Sequence, residues 1–166
     1  MKLIDPVAGA VILEGGDTVS KSEVIGQLLQ HLASTRHIPA TDIPALQDAV
    51  LQREALASTG IGQGIAVPHT RHSSISQTLV LFAICRSPVQ FDSIDAEPTD
   101  LFVLCLSPRD PWPAEQFKAS PWSHVLMRHL TDKTFCDHLR QATSNEELWE
   151  RLVSADDDRP WESWDS

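Results

Sequence analysis

LVLFAIC at residues 79–85 and LFVLCL at residues 101–106 are unbroken runs of apolar side chains. A strand with one covered face alternates apolar and polar residues, whereas a continuous apolar strand is buried on both faces. Both runs have the length of a strand and fall far short of the roughly 20 residues that cross a membrane. They therefore predict central strands of a sheet that is covered on both sides.

Segments with helical spacing lie before and after these strands. Ser20 and Glu23 form a capping box ahead of apolar residues that recur every three or four positions. A second helix is predicted from Thr41 or Asp42, with Pro44 in its first turn, to the turn at 58–60. Further predicted elements are strands at 10–13 and up to Val67, a helix at 125–130, a helix from Asp132 to Arg140, and a helix after the capping box of Ser144 and Glu147. The pattern predicts an α/β fold, a mixed β-sheet sandwiched between helical layers.

The chain has 166 residues, a length that one domain accommodates. We expect a domain at 1–154 and an acidic C-terminal tail at 155–166. Trp161 and Trp164 are unusual in such a tail. Two interpretations stay open on the sequence alone: the tryptophans dock on the domain or on a partner, or the tail folds back for simple burial or stays disordered.

The net charge of −10 argues against a general binder of nucleic acid or of anionic membranes. Residues 1–10 lack a basic segment followed by an apolar run, so we expect no signal peptide and a cytoplasmic protein. Cys85, Cys105 and Cys136 are far apart in apolar segments, which predicts buried free thiols in a reducing compartment. Nucleotide-binding glycine motifs are absent, and we expect no cofactor.

Residues 58–69 read STGIGQGIAVPH. Glycines at alternate positions permit positive φ angles and a close approach of the backbone to a ligand. Their N–H groups can then point at an anion, so Gly62 and Gly64 are candidate phosphate-binding residues. Such a run is weak evidence by itself, because similar glycines also close ordinary hairpins.

His69 follows the glycine run, and Pro68 stiffens the backbone before it. A histidine after a strand is often only a surface or hydrogen-bonded residue. Neutral imidazole is nevertheless a good nucleophile near pH 7 when a hydrogen bond to one nitrogen fixes the tautomer. The setting therefore makes His69 a candidate acceptor of a phosphoryl group.

Arg53 is a second candidate, since it lies seven residues after Leu46 on the face that also carries Val50. A charge on an inward stripe needs a partner, because an unpaired buried charge is too costly. On the sequence alone, that partner is either an acid such as Asp48 or Asp92, or a bound anion.

The segment HTRH at 69–72 contains two potential metal ligands. No cysteine or acid follows at a recognisable ligand spacing, so the segment is a poor zinc motif and we predict no metal site. Arg71 either extends a positive rim around His69 or faces solvent.

RE at 53–54 together with STGIG-x-GIAVPH at 58–69 resembles the signature of fructose/mannitol-type enzyme IIA domains of the bacterial phosphotransferase system, in particular of the nitrogen-regulatory IIA proteins. The similarity covers nearly the whole chain. It continues in PVQFD at 88–92, the acidic turn at Asp95, P-x-DL at 98–101, LTDK at 130–133 and S-x-EEL at 144–148.

This resemblance implies that His69 accepts a phosphoryl group from a small histidine phosphocarrier protein. His69 would pass the group to a IIB-type domain, or hold it as a regulatory mark read by a target protein. It also implies a sheet flanked by helices and places Arg53 beside the phosphoryl group. No IIB or membrane IIC portion is fused to the chain, which favours regulation.

Members of the family usually have a second histidine near the start of the helix after the last central strand. Ala119 takes that position here, and His124 is the candidate substitute. The alternative function is a non-catalytic IIA-like protein-interaction module with impaired phosphotransfer.

Overall fold

The computed structural model describes residues 2–14, 20–109 and 121–157, which form helices around one sheet. In chain order the elements are β1 (Val7–Leu13), α1 (Lys21–Ser34), a 3-10 turn (Ala40–Asp42), α2 (Ile43–Leu56), β2 (Gly60–Gly62), β3 (Ile65–Ala66), β4 (His69–His72), β5 (Leu79–Val89), β6 (Thr99–Pro108), α3 (Pro121–Leu130), α4 (Lys133–Arg140) and α5 (Asn145–Asp157).

The sheet is mixed, as the sequence predicts. Its strand order is β1-β5-β6-β3-β2, and β4 also pairs with β6. β5 and β6 are antiparallel, as are β2 and β3, while β1 is parallel to β5 and both β3 and β4 are parallel to β6. β3 and β4 therefore follow each other along one side of β6, with Ile65 opposite Leu101 and His69 opposite Cys105.

Each face of the sheet has its own apolar core, which explains the unbroken apolar strands. Leu81 and Leu104 pack with α1 and α2 on one face, and Phe82 and Val103 pack with α3, α4 and α5 on the other. Successive side chains of a strand point to opposite faces, so a strand between two helical layers must be apolar at every position. The predicted sandwich is confirmed.

Three predicted helix starts are confirmed by their caps. The Ser20 side chain accepts a hydrogen bond from the Glu23 N–H at the start of α1. Asp132 does the same for two N–H groups of α4. The Glu147 N–H donates to the Ser144 hydroxyl over 3.1 Å before α5. These side chains satisfy N–H groups that have no partner within the helix.

Several boundaries differ from the prediction. β5 continues four residues beyond Cys85 to Val89, and residues 69–72 form a further strand, β4, after the predicted strand that ends at Val67. The last residue of α2, Leu56, has an 83% exposed side chain although the helix side with Leu46 and Val50 is buried. α5 ends at Asp157, and Ala155 is buried. Trp161, Trp164 and residues 111–120, including Ala119, lie outside the described residues.

All three cysteines are buried and free, as predicted. Burial raises the pKa of the Cys136 thiol to about 11 and that of Cys105 further, because the low-dielectric core disfavours a thiolate. Among the described helices, none has the length and apolar character needed to cross a membrane.

Candidate functional site

An open cavity of about 720 Å³ lies between α2 and β4. α2 contributes one face of its surface, which includes Ala45, Ala49 and Arg53. These residues recur at the spacing of neighbours along a helix face. The two alanines have short side chains, and this leaves room for a ligand between the helix and the strand.

Arg53 lines this cavity, but it does not lie on the inward stripe of α2. The buried stripe consists of Leu46, Val50 and Glu54, each four residues after the last. Consecutive residues of a helix are rotated by about 100°, so the residue before Glu54 faces β4 instead of the core. The sequence interpretation of Arg53 as an inward charge is thus corrected: the buried charge is Glu54.

The suggested acid partners of Arg53 are also excluded. Asp92 pairs with Lys21 at 3.1 Å, and Asp48 lines the cavity without an ion pair to Arg53. Within the parts of the chain that the structure describes, Arg53 pairs with no carboxylate. One guanidinium N–H donates to the Ala57 carbonyl at 2.8 Å, which holds the side chain at the end of α2. The remaining N–H groups suit an anion in the cavity.

His69 is half-buried at the start of β4 and lines the cavity. Its Nδ1 lies 2.9 Å from the Val67 carbonyl oxygen. A carbonyl oxygen can only accept, so Nδ1 carries the proton. The neutral ring then has its lone pair on Nε2, which is the nitrogen that can act as a nucleophile.

A chain of hydrogen bonds runs from Glu54 to His69. The buried Glu54 carboxylate accepts from the Thr59 N–H at 3.0 Å and from the Thr59 hydroxyl. The Thr59 carbonyl accepts from the Val67 N–H at 3.1 Å. Val67 in turn accepts from the His69 ring. Glu54, near the end of α2, is therefore linked by hydrogen bonds to the backbone carbonyl that orients the His69 imidazole.

The glycine run forms a tight hairpin between β2 and β3. Gln63 and Gly64 at its tip have φ angles of 57° and 78°, and Gly62 has 94°. The Gly62 N–H donates to the Ser93 hydroxyl at 3.0 Å. Neither Gly62 nor Gly64 lines the cavity. The structure therefore does not bring these two predicted phosphate-binding residues to the cavity, and their positive φ angles serve the turn of the hairpin.

Two charged side chains hold the hairpin tip from outside. Asp95 accepts from the Gln63 N–H at 2.8 Å, and this bond lowers the pKa of the Asp95 carboxyl. Arg140 donates to the Gln63 carbonyl at 2.8 Å and pairs with Asp100 at 3.0 Å. The hairpin is thereby tied to β6 and α4.

The cavity is basic although the protein is acidic. Among the described residues, Arg53, Arg71 and Arg109 line it, and Asp48 is the single acid. β4 and β6 are parallel, so their carboxyl ends meet and bring Arg71 next to the end of β6, where Arg109 follows. Clefts of one charge sign attract ligands of the opposite sign. The arrangement favours an anion.

His72 lines the same cavity at the end of β4. Its Nδ1 accepts from the Ser74 N–H at 3.1 Å and lies 2.7 Å from the Ser74 hydroxyl. No cluster of three potential metal ligands occurs among the described residues. His124 is exposed on α3 and does not line the cavity, so the structure does not bring it to His69.

Sequence reasoning missed Glu54, Arg109 and the tautomer of His72. The signal for Glu54 was available, since Leu46, Val50 and Glu54 repeat every four residues. The role of Arg109 depends on the parallel pairing of β4 with β6, and that pairing leaves no pattern in the sequence. The tautomer depends on hydrogen bonds within a tight turn.

Comparisons with known proteins show the family of this chain. Residues 10–155 match the family described as phosphoenolpyruvate-dependent sugar phosphotransferase system, EIIA 2. A nitrogen regulatory protein of Klebsiella oxytoca is 38% identical over 109 residues, and the match spans 65% of this chain and 65% of that protein. The chain thus aligns with slightly less than two thirds of this relative's length.

Two solved structures have the same fold. The crystal structure of nitrogen regulatory protein IIA-Ntr from Neisseria meningitidis has a TM-score of 0.69 and 28% identity, and the match covers 89% of this chain and 92% of that one. The complex of enzyme IIAMTL with phosphorylated enzyme IIBMTL from Escherichia coli has a TM-score of 0.64 and 23% identity, covering 86% and 94%. At that identity the second likeness concerns the fold alone.

Replacement of Glu54 by alanine should lower the free energy of unfolding by about 2–4 kcal/mol, because it leaves the Thr59 donors and Lys21 without their buried acceptor. Denaturant unfolding measures the loss. Asp92→Asn is the matched control, since it breaks the other ion pair of Lys21 at an 83% exposed carboxylate and should cost less than about 1 kcal/mol. Equal losses in the two variants would contradict an anchoring role for Glu54.

The two cavity histidines should differ in tautomer. Nitrogen-15 NMR at a pH at which both imidazoles are neutral should show the proton of His69 on Nδ1 and that of His72 on Nε2. The Val67 carbonyl faces Nδ1 of His69, whereas the Ser74 N–H faces Nδ1 of His72. A proton on Nε2 of His69 would contradict the assignment of that atom as the nucleophile.

Proposed function

This chain belongs to the EIIA 2 family of the phosphoenolpyruvate-dependent sugar phosphotransferase system, and we propose that it carries a phosphoryl group on His69. The donor is the phosphohistidine of a small histidine phosphocarrier protein. The observation that carries this proposal is the bond from His69 Nδ1 to the Val67 carbonyl, which leaves the Nε2 lone pair as the nucleophile of a basic cavity.

The chemistry needs only groups that the cavity supplies. The Nε2 lone pair forms the new bond to phosphorus while the donor's N–P bond breaks, and that electron pair leaves with the donor imidazole. The Nδ1 proton stays on His69, so the phosphorylated ring carries a positive charge that the Val67 carbonyl stabilises. The phosphoryl oxygens need cationic donors, and Arg53 is the candidate that α2 holds in the cavity.

We propose a regulatory output, in which a target protein reads the phosphorylation state of His69. The support is the similarity to nitrogen regulatory proteins, one of them over 89% of this chain. A IIB-type domain is the alternative acceptor, supported by the complex of a IIA protein of this fold with a phosphorylated IIB. Transfer onward and storage of the mark both begin from the same phosphohistidine.

Incubation with phosphoenolpyruvate, enzyme I and a small histidine phosphocarrier should label the protein with an acid-labile phosphate. His69→Ala should abolish the label because it removes the nucleophile. Phosphorus-31 NMR of the labelled protein should place the phosphorus on Nε2, since Nδ1 is occupied by its bond to Val67.

His138→Ala and His124→Ala are the controls, since both histidines are exposed and neither lines the cavity. Both variants should be labelled at the rate of the unaltered protein. A slower or shorter-lived label in His124→Ala would restore that residue as the second histidine. Absence of label with several cognate carriers would favour the alternative, a IIA-like interaction module without phosphotransfer.

Arg53→Ala should lower the rate of labelling by about 10- to 100-fold, which corresponds to the loss of a hydrogen bond to a charged group. Stopped-flow or quenched transfer from the phosphorylated carrier measures the rate, and thermal unfolding checks the fold. Lys133→Ala removes an equal charge from an exposed position on α4 and should leave the rate unchanged. Unchanged kinetics in Arg53→Ala would show that Arg53 only caps α2.

A further inference from the structure

Arg71 follows His69 by two residues in β4, and the strand is regular between them. His69 lies opposite Cys105 on β6, and Arg71 lies opposite Ser107, so both strands advance by two residues without a bulge. Successive side chains of a regular strand point to opposite faces, and alternate side chains share a face. His69 and Arg71 therefore project to the same side of β4.

The spacing along the strand puts Arg71 within reach of a group on the His69 ring. Each residue of a strand advances about 3.3 Å, so the Cα atoms of His69 and Arg71 are about 7 Å apart. An extended arginine side chain covers that distance. Both residues are half-buried and line the cavity. The His69 ring bonds through Nδ1 to the preceding Val67, so Nε2 lies on the ring edge away from Val67.

A phosphoryl group on His69 needs more donors than Arg53 supplies. Such a group brings roughly two negative charges and three acceptor oxygens. One guanidinium N–H of Arg53 is already bonded to the Ala57 carbonyl at 2.8 Å. Arg109 also lines the cavity, but it is exposed and follows the last residue of β6, so strand pairing does not fix its position. Arg71, in contrast, is held by the pairing of β4 with β6.

We propose that Arg71 is a second phosphoryl-binding residue, whose guanidinium donates hydrogen bonds to oxygens of the phosphoryl group on His69. This inference rests on the proposed function of His69. Arg71 stays protonated throughout and takes no part in forming or breaking the N–P bond. It binds the group from the strand, whereas Arg53 binds it from α2.

This role affects the equilibrium of transfer as well as its rate. The equilibrium constant depends only on the free reactants and products, and a cation that contacts the phosphoryl group stabilises one of those products. An arginine that only guides the phosphocarrier to the cavity changes the forward and reverse rates together and leaves the equilibrium constant unaltered. The two roles are therefore separable by measurement.

The test measures the equilibrium constant for transfer from the phosphorylated carrier to this protein. Arg71→Ala should lower the constant about tenfold, as expected for the loss of a hydrogen bond to a charged group. Arg71→Lys retains the charge without the planar fork of donors and should recover part of that loss. Arg109→Ala is the matched control, since it removes the same charge from the same cavity, and it should have a smaller effect. Thermal unfolding checks that each variant folds.

Nitrogen-15 NMR of the Arg71 Nε–H provides a readout that does not depend on the carrier. Phosphorylation of His69 by phosphoramidate, a small phosphoryl donor, should shift this resonance because a phosphoryl oxygen becomes its acceptor. Inorganic phosphate added to the unphosphorylated protein should shift it in the same direction. The resonance should not respond to phosphoramidate in His69→Ala beyond the effect of free phosphate.

The possible failures distinguish this role from the proposed function. Absence of label from every cognate carrier and from phosphoramidate would count against phosphorylation of His69, and the titration with inorganic phosphate would then decide whether Arg71 binds the anion. An unchanged equilibrium constant in Arg71→Ala would overturn the role of Arg71 alone. Equal losses in Arg71→Ala and Arg109→Ala would also overturn it, because they would indicate a general effect of cavity charge. An Arg71 resonance that neither phosphorylation nor phosphate shifts would exclude the contact.

Discussion

The buried carboxylate of Glu54 is the constraint on which the site depends. A carboxylate in the core persists only if its oxygens are satisfied, and here Thr59 and Lys21 satisfy them. Lys21 belongs to α1 and Thr59 precedes the β2–β3 hairpin, so one side chain joins two helices to the start of the hairpin. Loss of the Glu54 carboxylate would therefore release the backbone that leads to His69, in addition to breaking the ion pair with Lys21.

Arg53 and Glu54, which are adjacent in the sequence, therefore have separate roles. Because adjacent helical residues are rotated by about 100°, a buried Glu54 places Arg53 over β4. The same anchor reaches His69 through the Thr59 carbonyl and Val67. The Arg53 guanidinium and the His69 imidazole are therefore positioned by one buried group, from the helix on one side and from the strand on the other.

The sequence predicted the sheet, its two covering layers and three helix caps, because each of these depends on short-range patterns of apolar and capping residues. It also singled out Arg53 and His69, which the structure brings to one cavity. It failed where the answer depends on contacts distant in sequence. The glycine run predicts a phosphate contact, whereas the structure places Gly62 in a hairpin in which its N–H donates to the Ser93 hydroxyl. The tautomer of His72 was missed because a turn hydrogen bond, not a motif, sets it.

Charge decides how a phosphorylated form could be recognised. A phosphoryl group adds roughly two negative charges, and it would enter a cavity lined by three arginines in a protein of net charge −10. The bond from Nδ1 to Val67 lies on the opposite edge of the ring from Nε2, so phosphorylation leaves the anchoring chain of hydrogen bonds intact. No rearrangement of the fold is then needed. A partner that distinguishes the two forms must contact the mouth of the cavity. In the unphosphorylated form the partner meets the positive charge of three arginines there, and in the phosphorylated form it meets a phosphoryl group whose charge the arginines neutralise.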